Sequence, residues 1–544
     1  MKGAFSKFLL GKIIMENENY NKFQKLINWF IKYGIRLIAV VAILIGISSI
    51  FVTAYFDTQY NNASETTKYK YSIGIVEIIF SVITFILIAF LNRKVLKKIP
   101  SIVLLILILL PMLFIYIVWL NALDLYPIND QGFVHDMAES FVNGDIKKWA
   151  EANEYLFLYP YQLGIVIFVG FFYKIFGVNY LYFQYFNALC SIINSILILY
   201  FSKKLFKNEN IQKILVILLS VFCLFWMFFN NHVYGNICGL TASLLAILFV
   251  FRFIEKNKLY NLLLSGIFIS IAIYMKSNYN IFLIGIILTL ILYIIEKWEF
   301  KNLLIIPIFL IGYFSINLGY NQILKANDVV LPDGVPMITF VYMGLEESDI
   351  ISPGWYSGST VIMYTHNNFS TENTIKQAKE LIKERMLFLV QNPNKFANFF
   401  GPKLASTWLN PTFQTVWCSI PGIRCIFTRE YEEYIIHHEK ALDMLNGNLY
   451  KLEENIFNIY QIIVFVFAAI GLFKLSKEIN LKQAILPIIF FGGFLFHFVW
   501  ETKAIYVIQY YFILLPFAAY GINYCIEKLI SKFQKKKLLN EKND

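Results

Sequence analysis

Runs of about 20 apolar residues recur along the whole chain, and no other feature constrains its fold so strongly. A helix of about that length crosses the roughly 30 Å hydrocarbon core of a bilayer. Twelve such runs stand at about 34–56, 72–91, 101–122, 181–202, 211–229, 233–254, 259–275, 279–295, 302–318, 455–473, 483–499 and 508–526. Lipid offers the backbone no hydrogen bonds, so runs of this length cross as helices. The expectation is an all-α polytopic membrane protein with about 12 transmembrane helices. Charged residues make up 15% of the chain and hydrophobic ones 58%, against about 25% charged in soluble domains. That balance excludes a soluble enzyme, a disordered regulator and a disulfide scaffold.

A thirteenth apolar run, QLGIVIFVGFFYKIFGV at 161–177, decides the topology. If it stays out of the bilayer, all the basic stretches fall on one side: the N-terminal segment, NRKVLKK at 92–98, SKKLFKNENIQK at 202–213, RFIEKNK at 252–258, KLSKEINLK at 474–482 and the tail. If it crosses, Lys203, Lys204 and Lys207 land opposite the rest. Cytoplasmic loops carry the excess of Lys and Arg. The run is therefore expected to lie in the interface as a juxtamembrane helix, with both termini cytoplasmic. On this reading the net charge of +11 is an orientation signal, and no nucleic-acid partner is implied.

The division that follows has five parts: an amphipathic cytoplasmic N-terminus (1–33), a membrane core (34–318) with a long external loop at 123–180, a small, mostly helical extracytoplasmic subdomain (319–454), C-terminal spans (455–526) and a basic tail (527–544). In the subdomain an amphipathic helix is expected over 371–390, after the turn-rich SPGWYSGST. Cys190, Cys223, Cys238 and Cys525 read as small buried hydrophobes. Cys418 and Cys425 bracket SIPGIR outside, where a disulfide is geometrically easy. His437 and His438 read as a solvated helix face, and no metal site is expected.

The informative stretch is YPINDQGFVHDMAESFVNGD, which follows the third run. A carboxylate at the mouth of a membrane bundle is costly to desolvate, which makes it a functional candidate. Phe133, Met137, Ala138 and Phe141 have helical spacing, so the segment folds back as an amphipathic helix with Asp130 at its start. A helix N-cap would also explain Asp130. Further on come Tyr159-Pro160-Tyr161-Gln162, the apolar run closing with Phe176-Gly177, and the span holding Gln184 and Asn187.

This order resembles the first external loop of the GT-C glycosyltransferases, and is most similar to the branch of protein O-mannosyltransferases and lipid A aminoarabinose transferases. Asp130 matches the first acid of that branch's acidic pair; Gln131 stands in place of the second, and Tyr-Pro-Tyr-Gln in place of a Pro-Pro-Leu-like motif. The resemblance implies transfer of a sugar from a polyprenyl-phosphate-linked donor, usually with inversion, to an extracytoplasmic acceptor. An acceptor such as a cell-wall or surface glycopolymer fits that class. It implies a base for the acceptor hydroxyl, cations for the departing phosphate and a groove for the lipid. Asp130 is the expected base, with Asp136 and His135 as alternates. Lys403 and Lys503 are candidates for the phosphate, each of which would otherwise be a snorkelling lysine, and Lys276 in the short MKSNYN turn is a third. Trp408 is expected to hold an interfacial aromatic stretch around Lys403. Gln131, Tyr159, Gln162, His232, Tyr234, Glu501 and Tyr506 complete the expected substrate-binding set. No cofactor or metal is expected, since a monophosphate leaving group needs a divalent ion less often than a pyrophosphate. Two other readings are a polysaccharide polymerase or ligase on a related scaffold and a 12-span secondary transporter; the absence of two similar halves speaks against the transporter.

Overall fold

The computed structural model describes residues 2–56, 67–297, 304–348, 351–419, 445 and 448–540. The long helix α1 (Lys2–Phe51) leads into a two-stranded antiparallel hairpin, β1 (Val52–Phe56) and β2 (Thr67–Tyr71), with Val52 paired to Tyr71 and Phe56 to Thr67. Helices α2 (Ile75–Phe90) and α3 (Ser101–Leu123) follow. The segment after α3 forms α4 (Asp130–Asn143), the short α5 (Tyr155–Leu158) and α6 (Leu163–Phe176). A run of long helices comes next: α7 (Tyr180–Leu205), α8 (Glu209–Phe229), α9 (Asn236–Lys256), α10 (Tyr260–Met275), α11 (Asn280–Lys297) and α12 (Ile305–Ala326). Shorter helices α13 (Ile338–Gly344), α14 (Ser359–His366), α15 (Thr371–Gln391) and α16 (Pro393–Trp408) precede α17 (Asn448–Leu475), α18 (Leu481–Val499), the short α19 (Ile508–Phe512) and α20 (Leu515–Asn540).

Ten helices among the described residues are long and apolar enough to cross a membrane. Two of the twelve expected runs are not among them. The run at 259–275 is α10, with only 16 residues, or about 24 Å at 1.5 Å per residue. The run at 302–318 enters α12, whose apolar part ends at Leu318 before Tyr320, Asn321, Gln322 and Lys325. The first run is shifted rather than shortened, its apolar helix covering Asn28–Phe51. Its helix ends at Phe51, and the β-branched and aromatic VTAYF becomes β1 instead. A partner from elsewhere in the chain explains that change: the Ala54 N–H donates to Leu409 O at 3.0 Å, and Asn410 Nδ2 donates to Ala54 O at 2.9 Å. The ambiguous run at 161–177 becomes α6, 14 residues long and well short of a bilayer core.

Helix starts follow local chemistry. Asn179, Asn208 and Ser370 accept backbone N–H groups at the heads of α7, α8 and α15, and Asn480 with Gln483 forms a capping box on α18. Apolar side chains of α8 and α9, among them Ile214, Phe222, Phe225, Leu240 and Ile247, are buried in one continuous core. Helix α2 turns the other way, exposing Ile75, Val76, Ile79, Val82, Ile83 and Ile86, the surface that lipid solvates. Helix α1 packs along α17, α9 along α10, α10 along α12, and α4 along α6. Cys425, His437 and His438 lie outside the described residues.

Candidate active site

Asp130 is the first residue of α4, and Asn129 with φ 54° holds the capping position before it. Asp130 is thus not the N-cap. Its neighbour Gln131 accepts the Val233 N–H at 2.9 Å through Oε1, tying the head of α4 to the loop between α8 and α9. Two amides on α7 hold the same loop from behind. Gln184 Nε2 donates to Leu125 O at 3.2 Å and Asn231 O at 3.0 Å, and Asn187 Nδ2 donates to His232 O at 2.9 Å. This scaffold presents Tyr234 to the front, where its hydroxyl meets that of Tyr155 at 3.2 Å.

Between these elements lies a cavity of about 240 Å3. Asp130, Tyr155, Tyr159, Tyr161, Gln162 and Tyr234 line one side, and Lys276 to Asn278 in the turn before α11 line it further with Asn280 and Ile281 at the start of that helix. Met337, Phe340, Tyr356, Phe496, Trp500, Glu501 and Tyr506 close it. The Lys276 ammonium lies 4.6 Å from the ring centre of Tyr234 and 4.8 Å from that of Tyr506, within the reach of cation–π attraction. Burial pushes Lys276 down to about 8; Asp130 and Glu501 pull it up, and Lys503 adds to the lowering. Lys503 stands beside the wall, its ammonium 5.9 Å from the ring centre of Tyr356. The Tyr356 hydroxyl in turn bonds that of Tyr159 at 3.1 Å. Burial raises the phenols of Tyr155, Tyr159, Tyr161 and Tyr234, and the Asp130 charge adds to each. They are neutral hydrogen-bonding groups around a charged centre.

Seven of the residues expected from sequence therefore line one cavity: Asp130, Tyr159, Gln162, Tyr234, Lys276, Glu501 and Tyr506. The others stand elsewhere. His232 is pushed down to about 3 by burial, with Lys276 and Lys503 adding to the effect, so it is neutral and supplies no cation. His135 is buried on the far face of α4, its Nδ1 2.7 Å from the Tyr173 hydroxyl. Burial lowers its pKa, while Asp136 and Glu139 act the other way. Asp136 is exposed on α4 and does not line the cavity. Gln131 is committed to the Val233 backbone.

Lys403 and Trp408 depart most from expectation. Lys403 is 0% exposed and Trp408 1%, so neither lies at a membrane surface. Trp408 packs against Phe490 and Phe494. The Lys403 ammonium donates to Gly344 O and to Trp500 O. The aromatic stretch that reads as interfacial is enclosed because the hairpin and α18 cover it. Sequence reasoning missed Tyr155, Tyr161, Asn278, Phe340, Tyr356 and Trp500 as cavity residues. Asn278 stands two residues beyond Lys276 in the same turn, and Tyr356 in the turn-rich SPGWYSGST, so position near a flagged motif was the available signal. Among the described residues no group of three or more His, Cys, Asp or Glu side chains is placed to hold a metal ion.

The fold and this cavity define an all-α polytopic membrane protein with an acid and a buried lysine at the mouth of its bundle. Residues 163–316 match the family model for dolichyl-phosphate-mannose-protein mannosyltransferases. The match covers less than a third of the chain; over that stretch the chain is similar to a GT-C family of membrane glycosyltransferases, and the similarity supports a polyprenyl-phosphate-linked sugar as donor. No curated protein and no solved structure gives a significant match.

Proposed function

We propose that the chain moves one sugar from a polyprenyl phosphate to an acceptor hydroxyl at this cavity, with inversion, on the extracytoplasmic side. The observation that carries the reading is that Asp130 and Lys276 line the same tyrosine-walled cavity. The reaction needs a proton removed from the acceptor and negative charge gathered on the departing phosphate. Asp130 is accessible and heads α4, and so takes the base role. Lys276, with Lys503 nearby, takes the phosphate. Glu501 and the neutral tyrosines hydrogen-bond the sugar hydroxyls, and the rings of Phe340, Phe496 and Trp500 give it an apolar wall.

At about 240 Å3 the cavity is smaller than the roughly 300–1,000 Å3 that holds drug-sized ligands. That size accommodates a single sugar ring at the Asp130 and Lys276 end of the cavity. An extracytoplasmic glycan or polymer is the acceptor class consistent with a site on the face opposite the basic loops. Membranes carrying Asp130→Asn should lose transfer from a radiolabelled polyprenyl-monophosphate sugar by about 10²–10⁴-fold, the usual worth of a general base, at unchanged protein abundance. Full activity in that variant would remove Asp130 from the role.

A further inference from the structure

Lys403, Ser406 and Thr407 are 0%, 0% and 1% exposed, and none of them lines the cavity. Their spacing puts them on one face of α16. Lys403 and Thr407 reach the 500–502 segment, and Ser406 reaches the turn before Tyr356. Lys403 Nζ donates to Trp500 O at 2.9 Å and also to Gly344 O. Trp500 lines the cavity, as does Glu501 beyond it, whose N–H donates to Phe340 O at 2.9 Å. Ser406 Oγ accepts Trp355 Nε1 at 2.9 Å, holding the residue before Tyr356. Thr407 Oγ1 bonds Thr502 Oγ1 at 3.2 Å, and the Thr502 N–H donates to Gly354 O at 2.9 Å.

The lysine shaft is closely confined. A Cβ on Gly354, where φ is +71°, would stand 2.8 Å from Lys403 Cε, and one on Gly344 would stand 2.3 Å from the Trp500 carbonyl carbon. Only glycine lets the two backbones close on the side chain. Burying an ammonium is costly, and an apolar residue would usually fill such a space at least as stably. Burial pushes Lys403 down to about 7, and Glu501 pulls it up. What an apolar residue would not supply is a donor to two carbonyls from different elements.

We propose that this face of α16 is a clamp, with Lys403 at its centre, that positions Trp500, Glu501 and Tyr356 around the substrate without touching it. The proposal rests on reading the cavity as the sugar-transfer site, and Lys403 is a positioning residue in it. Hydrogen exchange on the purified full chain tests the clamp independently of the reaction. In Lys403→Met, which removes the donor to both Gly344 O and Trp500 O, the amides of Glu501 and Thr502 should exchange at least about tenfold faster, the scale of one charge-assisted hydrogen bond. Amides in α8 and α9 should be unchanged. The KM for a polyprenyl-monophosphate sugar should rise more than kcat falls.

Ser406→Ala should loosen only 352–358, and Thr407→Val only the Thr502 region, so these two carry the test if Lys403→Met fails to accumulate. Unchanged exchange at every partner segment, or equal loosening throughout the protein, would overturn the clamp. Faster local exchange in a protein whose wild type consumes no lipid-linked sugar would leave the clamp standing and remove the transfer reading.

Discussion

At the scale of single residues, the site is governed by how far burial moves each charge. Lys276 sits between two aromatic rings with its pKa at about 8, so it is cationic at neutral pH and loses its charge over a modest alkaline step. For the free enzyme, kcat/KM for the lipid-linked donor should fall as pH rises through about 8, since that ratio reports groups of the unliganded protein. Lys276→Gln should lower kcat/KM at pH 7 and flatten that decline. A decline that persists unchanged in the variant would assign it to another group. The stability effect has the opposite sign. A lysine whose folded pKa lies below its unfolded value costs stability while charged in both states, below about 8, and that cost fades as pH climbs toward the unfolded value. Activity should therefore fall with pH where this group's contribution to stability improves. Asp130 could be picked out in the sequence because a carboxylate after a span is unusual. Lys403 looked like an interfacial cation because nothing local to it records the chains that cover it.

At the scale of elements, local chemistry and long-range pairing divide the work. Helices α4 and α15 were legible in full outline: helical spacing of Phe133, Met137 and Phe141 marked the first, and an amphipathic pattern beginning at Thr371 marked the second. The hairpin was not legible, because VTAYF continues the apolar run of α1, and its strand partners lie at Thr67–Tyr71 and at Leu409. Between elements, Gln131 is the link between α4 and the loop bearing Tyr234. Replacing it with Leu leaves the buried Val233 N–H without its acceptor, which should cost about 1–3 kcal/mol. Thermal or denaturant unfolding in detergent measures that loss. A variant as stable as wild type would show that the loop is held by Gln184 and Asn187 alone.

At the scale of the whole molecule, the distribution of charge sets a testable topology. If the basic loops are cytoplasmic, a cysteine in place of the exposed Asn257 should resist a membrane-impermeant thiol reagent in intact cells. One in place of the exposed His366, near the cavity-bearing side, should be labelled. The reverse pattern would invert the proposed site and place transfer in the cytoplasm.

The sequence by itself determined that the chain carries many apolar runs long enough to span a membrane, and that an acid heads an amphipathic helix after one of them. These follow from hydrophobic length and periodicity, which depend on near neighbours in the chain. Only the tertiary structure decided that Asp130, Lys276 and Glu501 share one cavity, that Lys403 is a buried donor to two carbonyls, and that His135 turns to Tyr173. Each of those outcomes depends on which surfaces exclude solvent from a side chain. Burial of that kind arises from segments brought together from distant parts of the chain.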